Sequence, residues 1–525
     1  MNSMKRNPWR LAAIGAGASL ALLLAACSGG DSGSSDGGAT GEPVEGGEIT
    51  IMSAAGMGTW DPALAFFGTL PGVTTDRLVA VYGQLFYVDQ SGELVPSLAE
   101  SFTTENGGTT WTLTLRPDIT FTDGTPFDAA AVKFNWDRNA DPATGSPTMA
   151  LAQSFTTEVV DEVTLTVTAN AANPVLDEQI AELMQFVASP TALQADEYVE
   201  PVGAGPFILT HQDPAIGEDL EANPDYALGK PVYDALHYRT VGDPSQRVET
   251  IAGGSADLMN GFSSDFRDYA DDDRFEMFTV ENGGFRHLVF NNTRAPFDDV
   301  RARKAVALAL DPTELVQTLL SDPEQVGSTT LFSDESPYYD AALGLPDPDL
   351  EEAQKLVDEL IADGVDMSFT IVPAAIPESI RSAEYVQLTL QQLEGVTVDI
   401  EQVQIQDWRL RTQGNDDFDI TFYLGIYDIN PVASTFTNLF EKDGTDNIQN
   451  SSSPEMTAAL DELRTATSEE EKAAALTQVQ EIYVEEVPIY SFGFDNRIFF
   501  HSAEVQGFEA FGRGSILSEE LFRTE

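Results

Sequence analysis

The sequence predicts an α/β fold in which helices cover a parallel or mixed sheet. In the second half of the chain, the apolar run Phe369–Val372 indicates a strand, Ser379–Leu393 a helix and Val396–Ile400 an alternating strand. This strand–helix–strand order is typical of βαβ units. The chain has 525 residues, and a norm of about 150 residues per domain predicts two to four domains rather than one core.

Composition and charge exclude one large class of function. The chain carries 86 acidic and 27 basic residues, for a formal net charge of −59. Such a field repels nucleic acids and anionic lipid headgroups, so we expect no nucleic-acid partner. Two explanations of the acidity stay open. It is typical of a solvated, salt-adapted surface, and it would also favour basic ligands.

The N-terminal segment predicts export and lipid attachment. Met1–Arg10 is basic, Leu11–Leu24 is apolar but too short to span a bilayer comfortably, and the motif Leu-Ala-Ala-Cys that ends at Cys27 matches a lipobox. We expect residues 1–26 to be a signal peptide and Cys27 to carry lipid that anchors the protein to the cell membrane from outside. The Gly-, Ser- and Asp-rich residues 27–47 then predict a flexible tether.

Motifs for catalysis or metal binding are missing from the sequence. The chain has a single cysteine, and its four histidines are far apart and form no HExxH pair; they are His211, His237, His287 and His501. There is no GxSxG or Walker motif, and Gly203 and Gly205 are typical of a tight, packed turn rather than a phosphate loop. The sequence therefore predicts no enzyme, no metal site and no cofactor.

A central segment combines a buried strand with a capped helix. The residues RHLVFNNTRAPFDDVRARKAVALALDP, 286–312, contain a short apolar strand, then Asp298 and Asp299 at a predicted helix start. Ala302, Ala305, Val306, Ala309 and Leu310 repeat at helical spacing. Pro312 is expected to stop the helix.

Three segments carry a resemblance to a known family. They are 286–312, the block WTLTLRPDITFTDGTPFDAAAVKFNWDR at 111–138, and PVGAGPF at 201–207. Taken in chain order, they resemble the extracytoplasmic solute-binding proteins of family 5, the peptide- and nickel-type binding subunits of ABC importers.

The resemblance implies a two-lobed type-2 periplasmic-binding-protein fold with an extra small domain inserted in the first lobe. Lobe I would comprise residues 48–78, 196–288 and 490–525, the small domain 79–195, and lobe II 289–489. Strands near His287–Asn291 and Ile489–Phe494 would form the hinge. A solute, expected to be an oligopeptide or dipeptide, would be trapped between the lobes and delivered to permease and ATPase subunits by a monomeric, lipid-anchored protein.

The resemblance also implies ligand contacts. In peptide-binding members the residues four to six positions after the first Asp-Pro lie along the ligand, which here are Phe66, Phe67 and Gly68. A cleft tryptophan corresponds to Trp408, and an aspartate that receives the peptide ammonium corresponds to Asp428 or, counted from Pro431, to Tyr427.

Alternatives to these assignments stay open. Tyr423 and Tyr427 flank the expected strand end and, like Trp408, fit a core position as well as a ligand contact. The same scaffold also binds oligosaccharides, glutathione or metal chelates. A secreted hydrolase and a surface lipoprotein without a transport role are the remaining classes.

Overall fold

The structure is a computed structural model, and the part of the chain that it describes excludes the N-terminal region and several short segments. The described residues are 43–65, 74–194, 201–213, 215–261, 266, 269, 272–280, 285–320, 323, 325–334, 336–423, 432–442, 444, 446–466, 468–494, 497–512 and 514–524. Cys27, Phe66, Phe67, Gly68, Tyr427 and Asp428 lie outside them. Within these ranges, no helix combines the length and apolar composition needed to cross a bilayer.

A seven-stranded sheet forms the first lobe. Its strands, in spatial order, are Phe275–Val280, Arg497–Ser502, Leu258–Gly261, Glu48–Ser53, Ala235–Thr240, Gly217–Ala222 and Phe207–Asp213. Glu48–Ser53 is the central strand and runs parallel to both of its neighbours. The first strand of the folded chain thus organises this lobe, with strands from the C-terminal region beside it.

A four-stranded antiparallel sheet forms the small domain. Its strands, in spatial order, are Ala99–Thr104, Thr110–Leu115, Thr164–Ala169 and Phe155–Val159. Trp111, Leu113 and Leu115 point to one face of the strand Thr110–Leu115 and pack in a core of this domain's own. The helix Leu176–Leu183 closes this core with Leu176 and Ile180.

A five-stranded mixed sheet forms the second lobe. Its strands, in spatial order, are Thr397–Ile400, Ser368–Ile371, Ile420–Tyr423, Phe285–Phe290 and Ile489–Phe494. The first three strands are parallel and the last two pair antiparallel to their neighbours. The predicted βαβ order and mixed sheet are confirmed.

The remaining elements cover the sheets or join them. The α-helices are Thr74–Tyr82, Ala129–Ala140, Met149–Gln153, Leu176–Leu183, Pro190–Leu193, Pro244–Ala252, Val300–Ala309, Pro312–Leu320, Leu350–Ala362, Pro377–Leu390, Ile405–Arg409, Val432–Phe440, Pro454–Thr465 and Glu469–Glu486, with a π-turn at Leu410–Gly414 and 3-10 turns at Ala341–Leu343 and Ser518–Glu520. Two-stranded pairs join Phe86–Val88 to Leu94–Pro96, Val505–Gln506 to Phe522–Arg523 and Ala510–Phe511 to Ser515–Ile516.

The observed strand pairing places the domain boundaries at positions that differ from the expected ones. Both Phe285–Phe290 and Ile489–Phe494 hydrogen-bond within the second lobe, so the boundaries expected at 288/289 and 489/490 fall inside strands. The chain changes sheet between 280 and 285 and again between 494 and 497. Residues 79–82, which we expected in the small domain, pack in the first-lobe core. Strand pairing between distant segments decides these limits, and local pattern does not report it.

The central segment forms the predicted strand and helix with one difference. Asp299 caps the helix Val300–Ala309 by accepting from the Arg301 amide at 2.8 Å, and Pro312 begins the next helix. Arg303 lies off the apolar stripe of this helix but is buried, and its guanidinium donates to the carbonyls of Phe297, Glu486 and Val487. The guanidinium therefore caps the C-terminal end of the long helix Glu469–Glu486.

The turn at Gly203 and Gly205 is a packing feature. A Cβ at Gly203 would lie 2.1 Å from the Val81 carbonyl oxygen, and one at Gly205 would lie 2.6 Å from the Gly83 nitrogen. The close approach of two backbone segments requires glycine there, as the turn-and-packing interpretation predicts.

Candidate ligand-binding region

Strand ends of the first and second lobes are linked where the chain passes twice between their sheets. On the first lobe, the register aligns the end of Glu48–Ser53 with Gly261, Val280 and Arg497. On the second lobe, Phe285 pairs with Phe494, and His287 pairs with Tyr423. Because residues 280 and 285, and 494 and 497, are joined by short segments, these strand ends of the two sheets belong to one junction.

Each predicted contact segment leaves a central strand at this junction. Residues 54–73 follow the carboxyl end of Glu48–Ser53, and residues 424–431 follow the carboxyl end of Ile420–Tyr423. In open α/β sheets, ligands bind outside the carboxyl ends of strands. The topology thus brings the start of both segments to one region of the molecule, although the contact residues within them lie outside the described ranges.

On the first lobe, polar contacts hold the loop that leads towards residue 66. Asp61 receives a bidentate ion pair from Arg138 of the small domain, with nitrogen–oxygen distances of 3.0 and 2.7 Å. The Trp60 indole donates to Gln212 Oε1 at 3.0 Å, and the Tyr82 hydroxyl donates to the Trp60 carbonyl at 2.6 Å. These contacts fix the last described residues before 66.

A buried ion pair also holds this loop. Arg77 donates to Glu218 Oε2 at 2.9 Å, and both side chains are fully buried. The Arg77 guanidinium lies 4.3 Å from the centre of the Tyr238 ring. Glu218 Oε1 accepts from the Met57 amide at 3.3 Å, so the pair ties the sheet to residues 54–65.

On the second lobe, Trp408 and Tyr423 lie together. Their rings are stacked with centroids 6.4 Å apart, and the two residues are 4 % and 1 % exposed. The Trp408 indole donates to Thr421 Oγ1 at 2.7 Å, and the Tyr423 hydroxyl donates to Asp446 Oδ1 at 3.4 Å. In this structure both rings support the strand end from which residues 424–431 depart. Ligand contact by either ring stays a prediction.

Charged and titratable groups that sequence reasoning missed surround this strand end. His287 packs on Tyr423 with ring centroids 5.5 Å apart, and burial lowers its pKa to about 3, so it is neutral near pH 7. Arg286 is buried, and burial lowers the pKa of the half-buried Arg409. The sequence offered one signal for Arg409. Because the chain has only 27 basic residues, an arginine next to the predicted cleft residue Trp408 indicates a role there.

A metal-binding cluster is not found in the described part of the chain. No three His, Cys, Asp or Glu side chains among the described residues lie close enough to hold a metal ion. His237 pairs with Asp219 at 2.7 Å near the edge of the first sheet, and His501 packs against Phe508.

Solved structures show the same fold. The oligopeptide-binding protein AppA from Bacillus subtilis, in complex with a nonapeptide, aligns with a TM-score of 0.78 at 17% identity over 92% of this chain and 100% of that one. A dipeptide-binding protein from Pseudoalteromonas sp. SM9913, in complex with Met-Leu, aligns with a TM-score of 0.78 at 20% identity over 91% of this chain and 100% of that one. The fold is therefore the α/β fold of type-2 periplasmic binding proteins.

Curated relatives align with part of the chain. The nickel-binding periplasmic protein of Escherichia coli strain K12 is 26% identical over 327 residues, which cover 59% of this chain and 60% of the relative. The glutathione-binding protein GsiB of Escherichia coli O1:K1 / APEC is 30% identical over 280 residues, 51% of this chain and 53% of the relative. The chain thus matches these two over about half to three fifths of their length.

The family assignment follows from a match that covers more than half of the chain. Residues 93–447 match the family described as Bacterial extracellular solute-binding proteins, family 5 Middle. This stretch includes most of the small domain, the central segment and most of the second lobe. The chain belongs to the bacterial extracellular solute-binding proteins of family 5.

Proposed function

We propose that this protein is the substrate-binding lipoprotein of an ABC importer. It captures a solute between its two lobes outside the cell and delivers it to a membrane permease driven by an ATPase. Lipid on Cys27 anchors it, and residues 27–47 are the tether. The observation that carries the proposal is the departure of both contact segments from central strands at the junction of the two sheets.

The mechanism uses binding energy and no covalent chemistry. A solute that touches both lobes binds the closed arrangement better than the open one, and it shifts the equilibrium by that difference in affinity. The proposed hinge lies where the chain passes from one sheet to the other, between Val280 and Phe285 and between Phe494 and Arg497. The permease then recognises the closed, loaded form.

The proposed ligand is an oligopeptide or dipeptide. Phe66, Phe67 and Gly68 contact it from the first lobe, and Trp408, Tyr423, Tyr427 and Asp428 from the second. Asp428 receives the ammonium group. Arg409, next to Trp408 and close to Tyr423, is a permanent cation that suits the peptide carboxylate. Glutathione and metal chelates also carry carboxylates, so the same cation fits them.

A ligand screen tests this function. Mass spectrometry identifies what co-purifies with the protein, and thermal unfolding then compares peptides, glutathione, nickel chelates and oligosaccharides. A true ligand at about 100 times its Kd stabilises the protein by about 2.7 kcal/mol. Stabilisation by peptides supports the proposal, whereas turnover of peptides or glycosides that one point mutation abolishes would support a hydrolase instead.

A further inference from the structure

One helix of the small domain reaches the second lobe. Leu176 and Ile180 of the helix Leu176–Leu183 are buried in the small-domain core. Val175, one residue before this helix, instead packs in the hydrophobic core of the second lobe. The helix is therefore held by one domain while its start inserts into another.

Polar groups continue this contact along the same face of the helix. Positions 175, 178 and 182 follow the three- and four-residue spacing that aligns side chains on a helix. The Ser434 hydroxyl, in the helix Val432–Phe440 of the second lobe, donates to Glu182 Oε2 at 3.0 Å. Lys472, in the helix Glu469–Glu486, attracts the Glu178 carboxylate. The small domain and the second lobe are thus joined by an apolar insertion, a hydrogen bond and a charge interaction.

Two neighbouring carboxyl groups at the start of this helix are partly buried. Burial raises the pKa of Asp177 to about 6 and that of Glu178 to about 8. Glu178 Oε2 has no hydrogen-bond partner among the described residues. Asp177 and Glu182 repel the Glu178 carboxylate and Lys472 attracts it, while Lys472 also pairs with Glu469 at 2.9 Å. A charged Glu178 is therefore poorly accommodated when the two domains touch.

We propose that this contact is a proton-operated latch, in which protonation of Asp177 and Glu178 lets the small domain close on the second lobe. The latch, defined by Val175, Asp177, Glu178, Ser434 and Lys472, deepens the proposed function and rests on it, because it acts on the closure that traps the solute. Closing takes up protons, and opening releases them.

The direction of the pH effect follows from the two carboxyl groups. When the domains separate, water solvates both carboxylates and their pKa values return to about 4. The closed form then binds more protons than the open form from about pH 4 up to about pH 8, so the closed population rises as the pH falls. Each proton taken up changes the closed-to-open ratio by up to about tenfold per pH unit.

Fluorescence transfer between two labelled cysteines measures this closure directly. Val160 of the small domain is 60% exposed and Leu388 of the second lobe is 70% exposed, so Val160→Cys and Leu388→Cys carry the dyes in a full-length Cys27→Ser chain. From pH 8 to pH 5.5, with and without ligand, the closed fraction should rise. A closed fraction that does not change with pH in either condition overturns the latch.

Variants that remove one charge test whether the pH dependence of closure arises at the contact between the small domain and the second lobe. Glu178→Gln should raise the closed fraction at pH 8 and flatten its pH dependence, whereas Glu158→Gln, which changes an exposed carboxylate of the same domain, should do neither. Lys472→Gln alone should lower the closed fraction at pH 8. In the double variant with Glu178→Gln, the added Lys472→Gln change should leave the closed fraction as it is in Glu178→Gln. An equal loss in both backgrounds would show that Lys472 acts only structurally, and an unchanged pH dependence in Glu178→Gln would refute the latch.

The same labels separate the two proposals. If no solute changes the fluorescence transfer at any pH, the proposed capture function fails. If a solute closes the protein and the closure is independent of pH, capture stands and the latch fails.

Discussion

Asp428 is the residue on which we expect binding of the proposed peptide ligand to depend most. A ligand ammonium in a cleft needs a charged acceptor, so Asp428→Ala should weaken binding of a cationic peptide by at least 100-fold, on the order of 3 kcal/mol. Calorimetry of wild type and variant measures the loss. Glu384→Ala, at an exposed position of the same lobe, is the matched control. Unchanged affinity in Asp428→Ala, with a loss in Tyr427→Phe, would assign the position to Tyr427.

Glu218 shows how much one buried charge contributes to the first lobe. Glu218→Ala leaves the fully buried Arg77 guanidinium without its carboxylate, so the free energy of unfolding should fall by about 3–5 kcal/mol. Urea unfolding followed by circular dichroism measures the change. Glu221→Ala, an exposed position of the same strand, should change it by less than about 0.5 kcal/mol. Similar losses in the two variants would refute the assigned role.

The buried carboxyl group of Glu519 should make the stability of the protein depend on pH. Burial raises its pKa to about 7, from an ordinary value near 4.5, and its Oε2 has no hydrogen-bond partner among the described residues. The folded state thus binds more protons than the unfolded state between these values, and stability is lost as the pH rises through the window.

The Glu519→Gln variant tests this dependence. It should match wild type near pH 4.5 and exceed it by on the order of 2 kcal/mol at pH 8. Thermal unfolding at several pH values gives the comparison, with the exposed Glu93→Gln as control. A difference that is constant across pH would contradict the assigned pKa.

At the scale of single elements, the capping signal at Asp298 and Asp299 correctly predicted the start of the helix Val300–Ala309. Asp349 accepts from the amides of Glu351 and Glu352, both at 3.0 Å, at the start of the helix Leu350–Ala362. Asp349→Ala should therefore destabilise the protein by about 1 kcal/mol, measured by urea unfolding. Asp347→Ala, two residues before the cap, should have no measurable effect. Equal effects would mean that the cap contributes nothing beyond its charge.

Elements without a strong local pattern were not predicted. The π-turn Leu410–Gly414 and the helix Leu176–Leu183 have no such signal, and Val175 offers the latter helix no side-chain cap. The buried position of Arg303 could not be predicted either, because its partners Glu486 and Val487 lie more than 180 residues away in the sequence. Local chemistry predicts where elements begin, and packing between distant segments decides what they contact.

At the scale of the whole molecule, the order of motifs predicted the architecture better than any single pattern. The resemblance led to two lobes and an inserted domain, and three separate sheets with their own cores are present. Local pattern gave no signal for the return of Arg497–Ser502 into the first sheet between strands from the middle of the chain. The predicted site is only partly placed, since the described structure includes Trp408 and Tyr423 but not the loop residues.

Capture of a solute between the lobes is tested most directly by small-angle X-ray scattering with the ligand that co-purifies. The ligand is removed by unfolding and refolding, and scattering is recorded before and after its return. We expect the radius of gyration to fall on binding, because closure of the lobes makes the particle more compact. A bound ligand, verified by calorimetry, that leaves the radius of gyration unchanged would contradict capture by closure.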